Sequence, residues 1–331
     1  MLRIALTCVA GGVLSGVLGL VLLPLLRALK AGQSVHKIGP TWHNNKVGTP
    51  LMGGLMFIGA AIICLLVNLF TIKDYTVIYG LVLALCFGIV GFVDDFCKVK
   101  FKSELGLTAF QKMALQMVVS AIYLYVLYKN GTLRNENGLC DLYIPFFNVN
   151  FEIHPLVYIF FAMFVMVGTV NAVNLTDGVD GLCATVTLPV MVFFGVVAYV
   201  NNKLDVALLP ACLFGGLIAY LFYNWHPAKV FMGDTGSLFL GGVVCAMAFA
   251  LNMPLILLLV GFVYMMEVVS DLIQFAYFRA THGKRFFKMA PIHHHFEKCG
   301  WKEVKIVLVF SAVSAVMCLL AWFGVQGMLV K

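Results

Sequence analysis

The feature that most constrains this chain is the recurrence of apolar stretches along its whole length, each of about 20 residues, enough for a helix to cross a bilayer core of about 30 Å. Of its 331 residues, 62% are hydrophobic and 11% are charged, whereas a globular domain is nearer half apolar and a quarter charged. We therefore predict an all-α integral membrane protein in which residues 1–331 form one polytopic domain. The ten predicted transmembrane helices cover 4–27, 51–70, 76–93, 108–128, 155–173, 181–200, 206–223, 237–251, 255–278 and 304–328.

The distribution of basic residues predicts how these helices are oriented. Of the 22 Lys and Arg residues, 13 fall in five alternate loops and 6 on the other side. Because cytoplasmic loops carry the excess of Lys and Arg, those loops should be cytoplasmic and both termini extracytoplasmic. The five loops are 28–50, 94–107, 174–180, 224–236 and 279–303. The first stretch lacks a small-residue cleavage site, so we predict a retained helix rather than a signal peptide.

A short region between the fourth and fifth helices has the composition of strands. Residues 142–144 and 149–153 are rich in strand-forming side chains, and Pro145 and Pro155 disfavour helix on either side. We therefore predict a small extracytoplasmic β-hairpin there.

Three features bear on partners. The formal net charge of +7, concentrated on the predicted cytoplasmic side, suits anionic lipid headgroups and an anionic substrate, and nothing indicates nucleic acid. Gly12-x-x-x-Gly16 is a helix-packing pattern, which would serve either contacts within this chain or a homodimer. The ten cysteines include no Cys-x-x-Cys pair and lie mostly in apolar stretches, so we interpret them as small buried hydrophobes rather than disulfides or zinc ligands.

Carboxylates gather in three short motifs at the ends of apolar stretches. The motifs are Asp94-Asp95-Phe-Cys-Lys98, Asn174-Leu-Thr-Asp177-Gly-Val-Asp180-Gly181 and Phe231-Met-Gly-Asp234-Thr-Gly-Ser237. An ionisable group near hydrocarbon costs about 2.5 to 3.5 kcal/mol on insertion scales, so five carboxylates kept there indicate a function. Because all three motifs fall on one predicted side, we expect a single site at the cytoplasmic membrane surface.

The first two motifs each pair carboxylates. Adjacent Asp94 and Asp95 suit a general base or a Mg²⁺ site, because Mg²⁺ prefers hard oxygen ligands; the alternative is a helix end that dips into water. Asp177 and Asp180 would share one helical face at i, i+3. The alternative for Asp177 is an N-cap of the sixth helix, but capping explains only one of the two carboxylates.

The third motif opens the eighth stretch at Asp234. The free N–H groups of a helix N-terminus favour an anion, and a neighbouring carboxylate can hold the metal ion of that anion. Capping alone is the alternative. Asp-Thr-Gly-Ser also occurs in aspartic proteases, but those are soluble β proteins, and the two-helix pattern of a membrane aspartyl protease is absent.

A basic loop with three consecutive histidines precedes the last stretch. His293, His294 and His295 follow Pro291, and Arg285 lies among the basic residues before them. Consecutive histidines cannot all reach one metal ion from regular structure, and no Cys stands at zinc spacing. We predict phosphate or sugar contacts through imidazole N–H groups; the alternative is a solvated basic loop.

In this order the motifs resemble those of the MraY family of phospho-N-acetylmuramoyl-pentapeptide transferases, within the polyprenyl-phosphate N-acetylhexosamine-1-phosphate transferase superfamily. Lys46-Val-Gly-Thr-Pro-Leu-Met-Gly-Gly54 and Asn224-Trp-His-Pro-Ala-Lys-Val-Phe231 extend the likeness, which runs from about Lys37 to Lys302. It implies ten helices in the bacterial inner membrane with the active site facing the cytoplasm. It also implies transfer of phospho-MurNAc-pentapeptide from UDP-MurNAc-pentapeptide to undecaprenyl phosphate, forming lipid I and UMP with Mg²⁺ as cofactor.

The resemblance further implies a role for each matching residue. Asp234 would be the main Mg²⁺ ligand, and Asp94 and Asp95 would be the catalytic carboxylates that deprotonate or orient the lipid phosphate. The implied substrate-binding residues are Lys98 and Lys112 near phosphates, Phe231 against uracil, and Lys46, Asn174, Asp177, Asp180, Asn224, Gly233, Arg285, His293, His294 and His295 around them.

Two other functions stay open from sequence. A related enzyme of the same superfamily would use UDP-N-acetylglucosamine, although the Pro-x-His-His-His-x-Glu loop favours the muramoyl donor. A membrane transporter would also keep carboxylates within its helices, but near the midplane on broken helices rather than at helix ends.

Overall fold

The computed structural model describes residues 1–29, 48–101 and 106–329, which are mostly helical. Its helices are α1 (Leu2–Ala28), α2 (Leu55–Asn68), α3 (Thr76–Phe101), α4 (Ala109–Lys129), α5 (Pro155–Thr176), α6 (Leu182–Val200), α7 (Leu208–Asn224), α8 (Gly233–Ala250), α9 (Leu257–Val260), α10 (Phe262–Ala280), α11 (Ile292–Lys298) and α12 (Glu303–Val325). Strands β1 (Cys140–Ile144) and β2 (Val149–Ile153) lie between α4 and α5.

Each of the ten apolar stretches coincides with a helix or a helix pair. Within the described ranges, seven helices are long and apolar enough to cross a membrane, and a bent pair counts as an eighth. The segments Leu55–Thr71 and Leu208–Asn224 are apolar but shorter. The chain is therefore a multi-pass membrane protein, while ten crossings and their orientation stay predictions.

Helix α8 forms the centre of the bundle. In its most apolar window, 94% of the residues are buried, because the helix is apolar on every side and carries small residues where neighbours approach. A Cβ added at Gly241 would lie 2.7 Å from the Cα of Val170 in α5, and one at Gly242 would lie 2.8 Å from the Cα of Ala84 in α3. These close approaches fix α8 between α3 and α5, and Asp234 lies in the first turn of this helix.

The small residues of α1 pack within this chain. A Cβ at Gly11 or Gly12 would contact the backbone of α7 at Cys212 or Gly215, and Ser15 donates a hydrogen bond of 2.9 Å to the carbonyl of Gly216. The glycine pattern of the first helix is therefore used for packing against α7. All ten cysteines are free.

The ninth apolar stretch, which we predicted as one helix over 255–278, is instead broken. The segments Pro254–Val260 and Phe262–Ala280 meet at an angle of 81°. Pro254 begins a short 3-10 turn, and Gly261 separates α9 from α10, so the backbone bends where helix propensity is lowest. As a result, Glu267 of α10 is fully buried in the bundle.

The predicted hairpin is present as two antiparallel strands. Ile144 pairs with Val149 across the turn, and β1 begins at Cys140, two residues before the predicted strand. The backbone N–H of Phe146 and the hydroxyl of Tyr143 both donate to the carbonyl of Gly324 near the end of α12, at 2.9 and 3.2 Å. These bonds anchor the hairpin to the last helix; the side of the membrane on which it lies stays a prediction.

Asp205 links three segments at the end of the bundle where α3 begins. Its Oδ1 accepts a hydrogen bond of 2.8 Å from Arg3 in α1, and its Oδ2 accepts the backbone N–H groups of Lys73 and Asp74 at 2.8 and 2.9 Å. Burial raises the pKa of Asp205, but these three donors outweigh burial and leave the pKa below its usual value.

We expect Asp205→Asn to lower the free energy of unfolding by about 1.5 kcal/mol at pH 7, since it removes a charge that accepts three hydrogen bonds. A carboxyl whose folded pKa is lowered stabilises above its unfolded pKa of about 3.9 and loses that contribution as pH falls through the folded value. The stability difference from wild type should therefore be constant above about pH 5 and shrink below about pH 4. Thermal unfolding in detergent across this range measures it, and a difference that grows on acidification would contradict it.

Candidate active site

The last turns of α3 carry two of the predicted catalytic carboxylates. We predicted Asp94 and Asp95 at the cytoplasmic end of the third helix, just after an apolar stretch that ends at residue 93. Helix α3 continues to Phe101, so both are helical and buried. Because Lys98 lies one turn after Asp94, its Nζ reaches to 2.6 Å from Asp94 Oδ2, and this pairing supports the longer helix.

Asp95 caps the first turn of α8. Its Oδ1 accepts the backbone N–H of Asp234 at 3.2 Å, and its Oδ2 accepts the backbone N–H and the hydroxyl of Thr235 at 2.9 and 2.7 Å. The first N–H groups of a helix have no partner within the helix, so Asp95 satisfies them from a neighbouring helix. It thereby fixes the position of Asp234 relative to α3.

Side chains from three other helices converge on Asp234. Lys98 Nζ of α3 and Lys112 Nζ of α4 lie 3.2 and 2.5 Å from its Oδ2. Asn174 Nδ2 of α5 donates to its Oδ1 at 2.8 Å and to Ser237 Oγ at 2.8 Å. Residues that are 60 to 136 positions apart therefore meet at one carboxylate.

The carboxylates of Asp94, Asp95 and Asp234 form a cluster with the donor set of a hard cation. Each offers an oxygen within 4.8 Å of the others. Mg²⁺ takes oxygen ligands from one or two carboxylates and fills its other positions with water and phosphate oxygens. Since Lys98 and Lys112 already lie beside these oxygens, the cluster combines ligands for a divalent cation with two ammonium groups for a bound anion.

Residues 177–181 form a turn between α5 and α6, so the predicted shared helical face of Asp177 and Asp180 is wrong. Helix α5 ends at Thr176, and Gly181 takes a φ of 79°, a left-handed conformation that favours glycine. The turn sends the two carboxylates in different directions. Asp177 accepts the backbone N–H of Gly233, whereas Asp180 Oδ2 lies 3.1 Å from His226 Nδ1.

The environment of Asp177 is strongly anionic. Burial raises its pKa well above the usual range, and the carboxylates of Asp234, Asp95 and Asp180 raise it further. Carboxylates therefore outnumber the two lysines in this part of the site, a balance that favours a divalent cation.

The segment 224–233 carries three of the predicted substrate-binding residues. The amide of Asn224 is used within the protein: its Oδ1 accepts the N–H of Gly181 at 3.0 Å and its Nδ2 donates to the carbonyl of Val230 at 2.9 Å. Phe231 is half-buried. Gly233 has a φ of 71°, and a Cβ there would lie 2.4 Å from Asp95 Oδ2, so only glycine fits between Asp95 and the start of α8.

The predicted first loop is described in part. Phe231 N–H donates to the carbonyl of Pro50 at 2.8 Å, and Gly53 and Gly54 donate to the carbonyls of Phe231 and Met232 at 2.8 and 3.1 Å. These bonds hold the start of α2 beside the start of α8. Lys46 lies outside the described residues.

The three histidines lie on the short helix α11 and point to different partners. His293 is buried, with Nδ1 2.9 Å from Glu267 Oε2 and with Nε2 facing Gly178, where an added Cβ would lie 2.2 Å from it. His294 Nδ1 lies 2.6 Å from Glu297 Oε2, within the same helix. His293 therefore packs against the turn that carries Asp177.

The other side of α11 faces the basic segment before it. His295 Nδ1 accepts the backbone N–H of Lys288 at 3.1 Å, and Arg285 Nη1 donates to the carbonyl of Lys288 at 3.5 Å. Arg285 is exposed. These contacts order the segment without bringing Arg285 to the carboxylate cluster.

We expect Glu267→Ala to lower the free energy of unfolding by about 3 kcal/mol, because removing one partner of a buried charged or hydrogen-bonded pair leaves His293 without its acceptor. Activity should fall with it, since His293 supports the 177–181 turn. The matched control is Asp271→Ala, an exposed acid on the same helix, which should change stability by less than about 0.5 kcal/mol. Equal thermal unfolding of the two variants in detergent would contradict this role of Glu267.

The structure gathers the described candidates into two groups. Around the carboxylate cluster lie Asp94, Asp95, Lys98, Lys112, Asn174, Asp177, Gly233 and Asp234. Around the turn between α5 and α6 lie Asp180, Asn224 and His293, with Phe231 at the other end of the segment that Asn224 holds. Arg285 and His295 contact Lys288 instead, and the ring of His294 packs against His293 with centroids 4.1 Å apart.

Comparison with known proteins finds relatives that match nearly the whole chain. Residues 77–252 match the family model described as glycosyl transferase family 4. A curated phospho-N-acetylmuramoyl-pentapeptide-transferase of Clostridium perfringens strain 13 is 45% identical over 323 residues, which cover 97% of this chain and 98% of the relative. Proteins of the same name from Clostridium acetobutylicum and Clostridium beijerinckii are 43% and 41% identical, over 92% and 97% of this chain and 94% and 96% of their own length.

This chain belongs to the phospho-N-acetylmuramoyl-pentapeptide transferase family.

The two kinds of match differ in extent along this chain. The family model spans the carboxylate cluster and the 177–181 turn, whereas α11 and its histidines lie beyond residue 252 and are covered by the full-length relatives. Membership therefore extends to both groups of site residues.

Sequence reasoning missed several residues that shape the site of this transferase family member. Thr235 completes the contact of Asp95 with α8, and Glu267 holds His293. Glu303 Oε2 lies 3.4 Å from His226 Nδ1. Glu267 had a signal, since an ionisable residue inside an apolar stretch indicates a function. Glu303 had none, because it stands among ordinary polar residues at a helix start.

Proposed function

We propose that this protein transfers phospho-N-acetylmuramoyl-pentapeptide from its UDP carrier to undecaprenyl phosphate in peptidoglycan synthesis, forming lipid I and releasing UMP. Family membership over nearly the full chain gives the reaction class and the transfer to a lipid carrier. The observation that carries the residue assignment is the convergence of Asp94, Asp95, Lys98, Lys112 and Asn174 on Asp234. Transfer between a phosphate monoester and a diphosphate needs such a mixture of cationic and metal-binding groups.

The cofactor that best fits the carboxylate cluster is Mg²⁺. We assign Asp234 as its main ligand, with the oxygens of Asp94 and Asp95 nearby. When bound there, Mg²⁺ neutralises charge on the transferred phosphate and the departing UMP. The hard oxygen donors support this choice over a softer metal ion.

The chain's own residues would align and neutralise the reacting phosphates. In a direct transfer, an oxygen of the lipid phosphate would attack the phosphorus that carries the N-acetylmuramoyl group. The bond from that phosphorus to the bridging oxygen would break, and UMP would leave with that oxygen. Asp94 would orient the lipid phosphate or take its proton, while Lys98 and Lys112 would move from Asp234 to the phosphate oxygens. Asp95 holds the backbone of Asp234 in place during this exchange.

The donor's nucleotide would lie on the side of the 177–181 turn. We assign Phe231 to stacking on uracil, and we assign Asp177, Asp180, Lys46 and the histidines of α11 to binding the donor. Asn224 would act through the backbone it holds rather than by direct contact, because both polar groups of its amide are bonded to Gly181 and Val230.

The test of the function is a UMP-release assay with purified protein, Mg²⁺, UDP-MurNAc-pentapeptide and undecaprenyl phosphate. We expect UMP and lipid I in equal amounts. Radiolabelled UDP-N-acetylglucosamine is the parallel donor, and product from it alone would assign the chain to the related superfamily activity. Counterflow of substrate across vesicles without UMP release would indicate a transporter.

We further propose ten membrane crossings in the bacterial inner membrane, with the carboxylate cluster facing the cytoplasm and both termini outside. The excess of Lys and Arg in the five alternate loops that carry the motifs supports this orientation. A homodimer would need a surface other than the glycine side of α1, because α7 covers that side.

Cys299 gives a direct measurement of the orientation. It is exposed just after α11, whereas the other nine thiols are buried or half-buried. We expect a membrane-impermeant maleimide to label Cys299 in inside-out vesicles and not in right-side-out vesicles. Cys299→Ser is the control that assigns the label, and labelling of Cys299 from the periplasmic side would refute the proposed orientation.

A further inference from the structure

A cavity of about 840 Å³ opens beside the site, between the 224–233 segment, α11 and the start of α12. Its volume lies in the range of ligand pockets, about 300 to 1,000 Å³. It is lined by His226, Lys288, Glu297, Lys298, Gly300, Trp301, Lys302, Glu303 and Val304. None of its lysines belongs to the carboxylate cluster described above.

The acidic groups of the cavity are already bonded, while two of its lysines are not. Glu297 contacts His294 at 2.6 Å and Glu303 contacts His226 at 3.4 Å. Within residues 1–29, 48–101 and 106–329, the side chains of Lys298 and Lys302 make no hydrogen bond or ion pair, and both residues are exposed. The cavity therefore offers free positive charge to an anionic ligand.

A third lysine stands at the same wall. Lys288 Nζ donates to the carbonyl of Lys298 at 3.2 Å, at the C-terminal end of α11. Trp301 stacks on Phe296 with ring centroids 4.6 Å apart, and this gives the cavity an apolar wall beside its charges. A ligand that combines carboxylates with aliphatic groups fits this lining.

Short contacts connect the cavity to the carboxylate cluster. His226 and Glu303, which line the cavity, meet Asp180: His226 Nδ1 lies 3.1 Å from Asp180 Oδ2, and the backbone N–H of Asp180 donates to Glu303 Oε2 at 3.4 Å. Asp180 belongs to the turn that follows α5, and Asn174 of α5 is bonded to Asp234. The segment from Asn174 to Asp180 thus connects the carboxylate cluster, where we place the phosphates, to the wall of the cavity.

We propose that this cavity holds the peptide arm of the donor, with the free carboxyl end of the pentapeptide bound by Lys298 and Lys302. The inference rests on the proposed function. Muramoyl is an acyl group, so it joins the amino end of the peptide and leaves the carboxyl end free. Five extended residues reach about 17 Å from the sugar, which carries that carboxylate beyond the phosphate site to a second set of cations.

The test compares two donors, UDP-MurNAc-pentapeptide and the same donor with its C-terminal carboxylate converted to a carboxamide. With wild-type protein, amidation should raise KM about tenfold, equivalent to about 1.4 kcal/mol, while kcat changes little. In the double variant Lys298→Gln, Lys302→Gln, KM for the acid donor should rise to that of the amide donor. Lys284→Gln, an exposed lysine outside the cavity, should keep the wild-type difference.

Each other outcome overturns the peptide site. Equal KM values for both donors with the wild type would show that the terminal carboxylate is not bound. An acid-to-amide difference that survives in the double variant would place that carboxylate elsewhere. If the double variant lost activity with both donors, and only when assayed in vesicles of anionic lipid, the two lysines would be assigned to binding lipid headgroups. Absence of UMP release by the wild type with either donor would refute the proposed function itself.

Discussion

Asp234→Asn is expected to abolish Mg²⁺-dependent UMP release, with kcat at least about a thousandfold lower, because an amide is a far weaker ligand for a hard cation than a carboxylate. The variant also removes the charge that holds Lys98 and Lys112, so both ammonium groups lose their present partner. The measurement is a titration of UMP release against Mg²⁺, read together with thermal unfolding.

The same variant should stay folded. Asn keeps the volume of Asp, and the backbone N–H of residue 234 still donates to Asp95. Asp271→Asn, which changes an exposed carboxylate on α10, is the matched control and should leave activity intact. Near-normal Mg²⁺-dependent turnover by Asp234→Asn would show that Asp234 is not the main Mg²⁺ ligand.

Gly91→Ala is expected to disturb the fold and the site together, lowering the free energy of unfolding by about 3 kcal/mol and activity by about a hundredfold. A Cβ at Gly91 would clash with the backbone of α8 at the carbonyl of Asp234 and the N–H of Thr235. Backbone cannot move aside as a flexible side chain can. The contact between α3 and α8 would have to open, which shifts Asp234 away from Asp94.

Gly168→Ala is the control for the helix propensity of the same exchange. Gly168 lies within α5 with no atom within 4 Å of an added Cβ, so the variant should be as stable as wild type or slightly more stable. Both variants are measured by thermal unfolding in detergent and by UMP release. Similar behaviour of the two would show that close contact at Gly91 does not govern the position of Asp234.

Much of the site follows from chemistry that is local in sequence. Asp94 and Asp234 are recognisable because carboxylates at the ends of apolar stretches are costly, and the hairpin is recognisable from its prolines and strand-forming residues. Nine of the apolar stretches coincide with helices and the ninth with a broken pair, since hydrophobic length is a strong signal.

The rest depends on contacts between distant residues. The bond between Glu267 and His293 joins positions 26 apart, and that between Asn224 and Gly181 joins positions 43 apart, so no local pattern shows either. The spacing of Asp177 and Asp180 suits a helix as well as a turn. The left-handed backbone of Gly181 identifies the turn, and that conformation is visible only in the structure. Similarly, the break at Gly261 is hidden inside a continuous apolar run.

The enclosure of α8 limits which parts of the molecule can vary. A helix surrounded on every side accepts neither added volume nor added charge, so a deep mutational scan selecting for growth should find positions 235–250 almost intolerant. The outward faces of α1 and α5, where Leu6, Val13, Phe160 and Phe164 are exposed, should accept most apolar exchanges. Resistance to an inhibitor that binds beside Asp234 would therefore arise in the loops around the start of α8 and not in α8 itself.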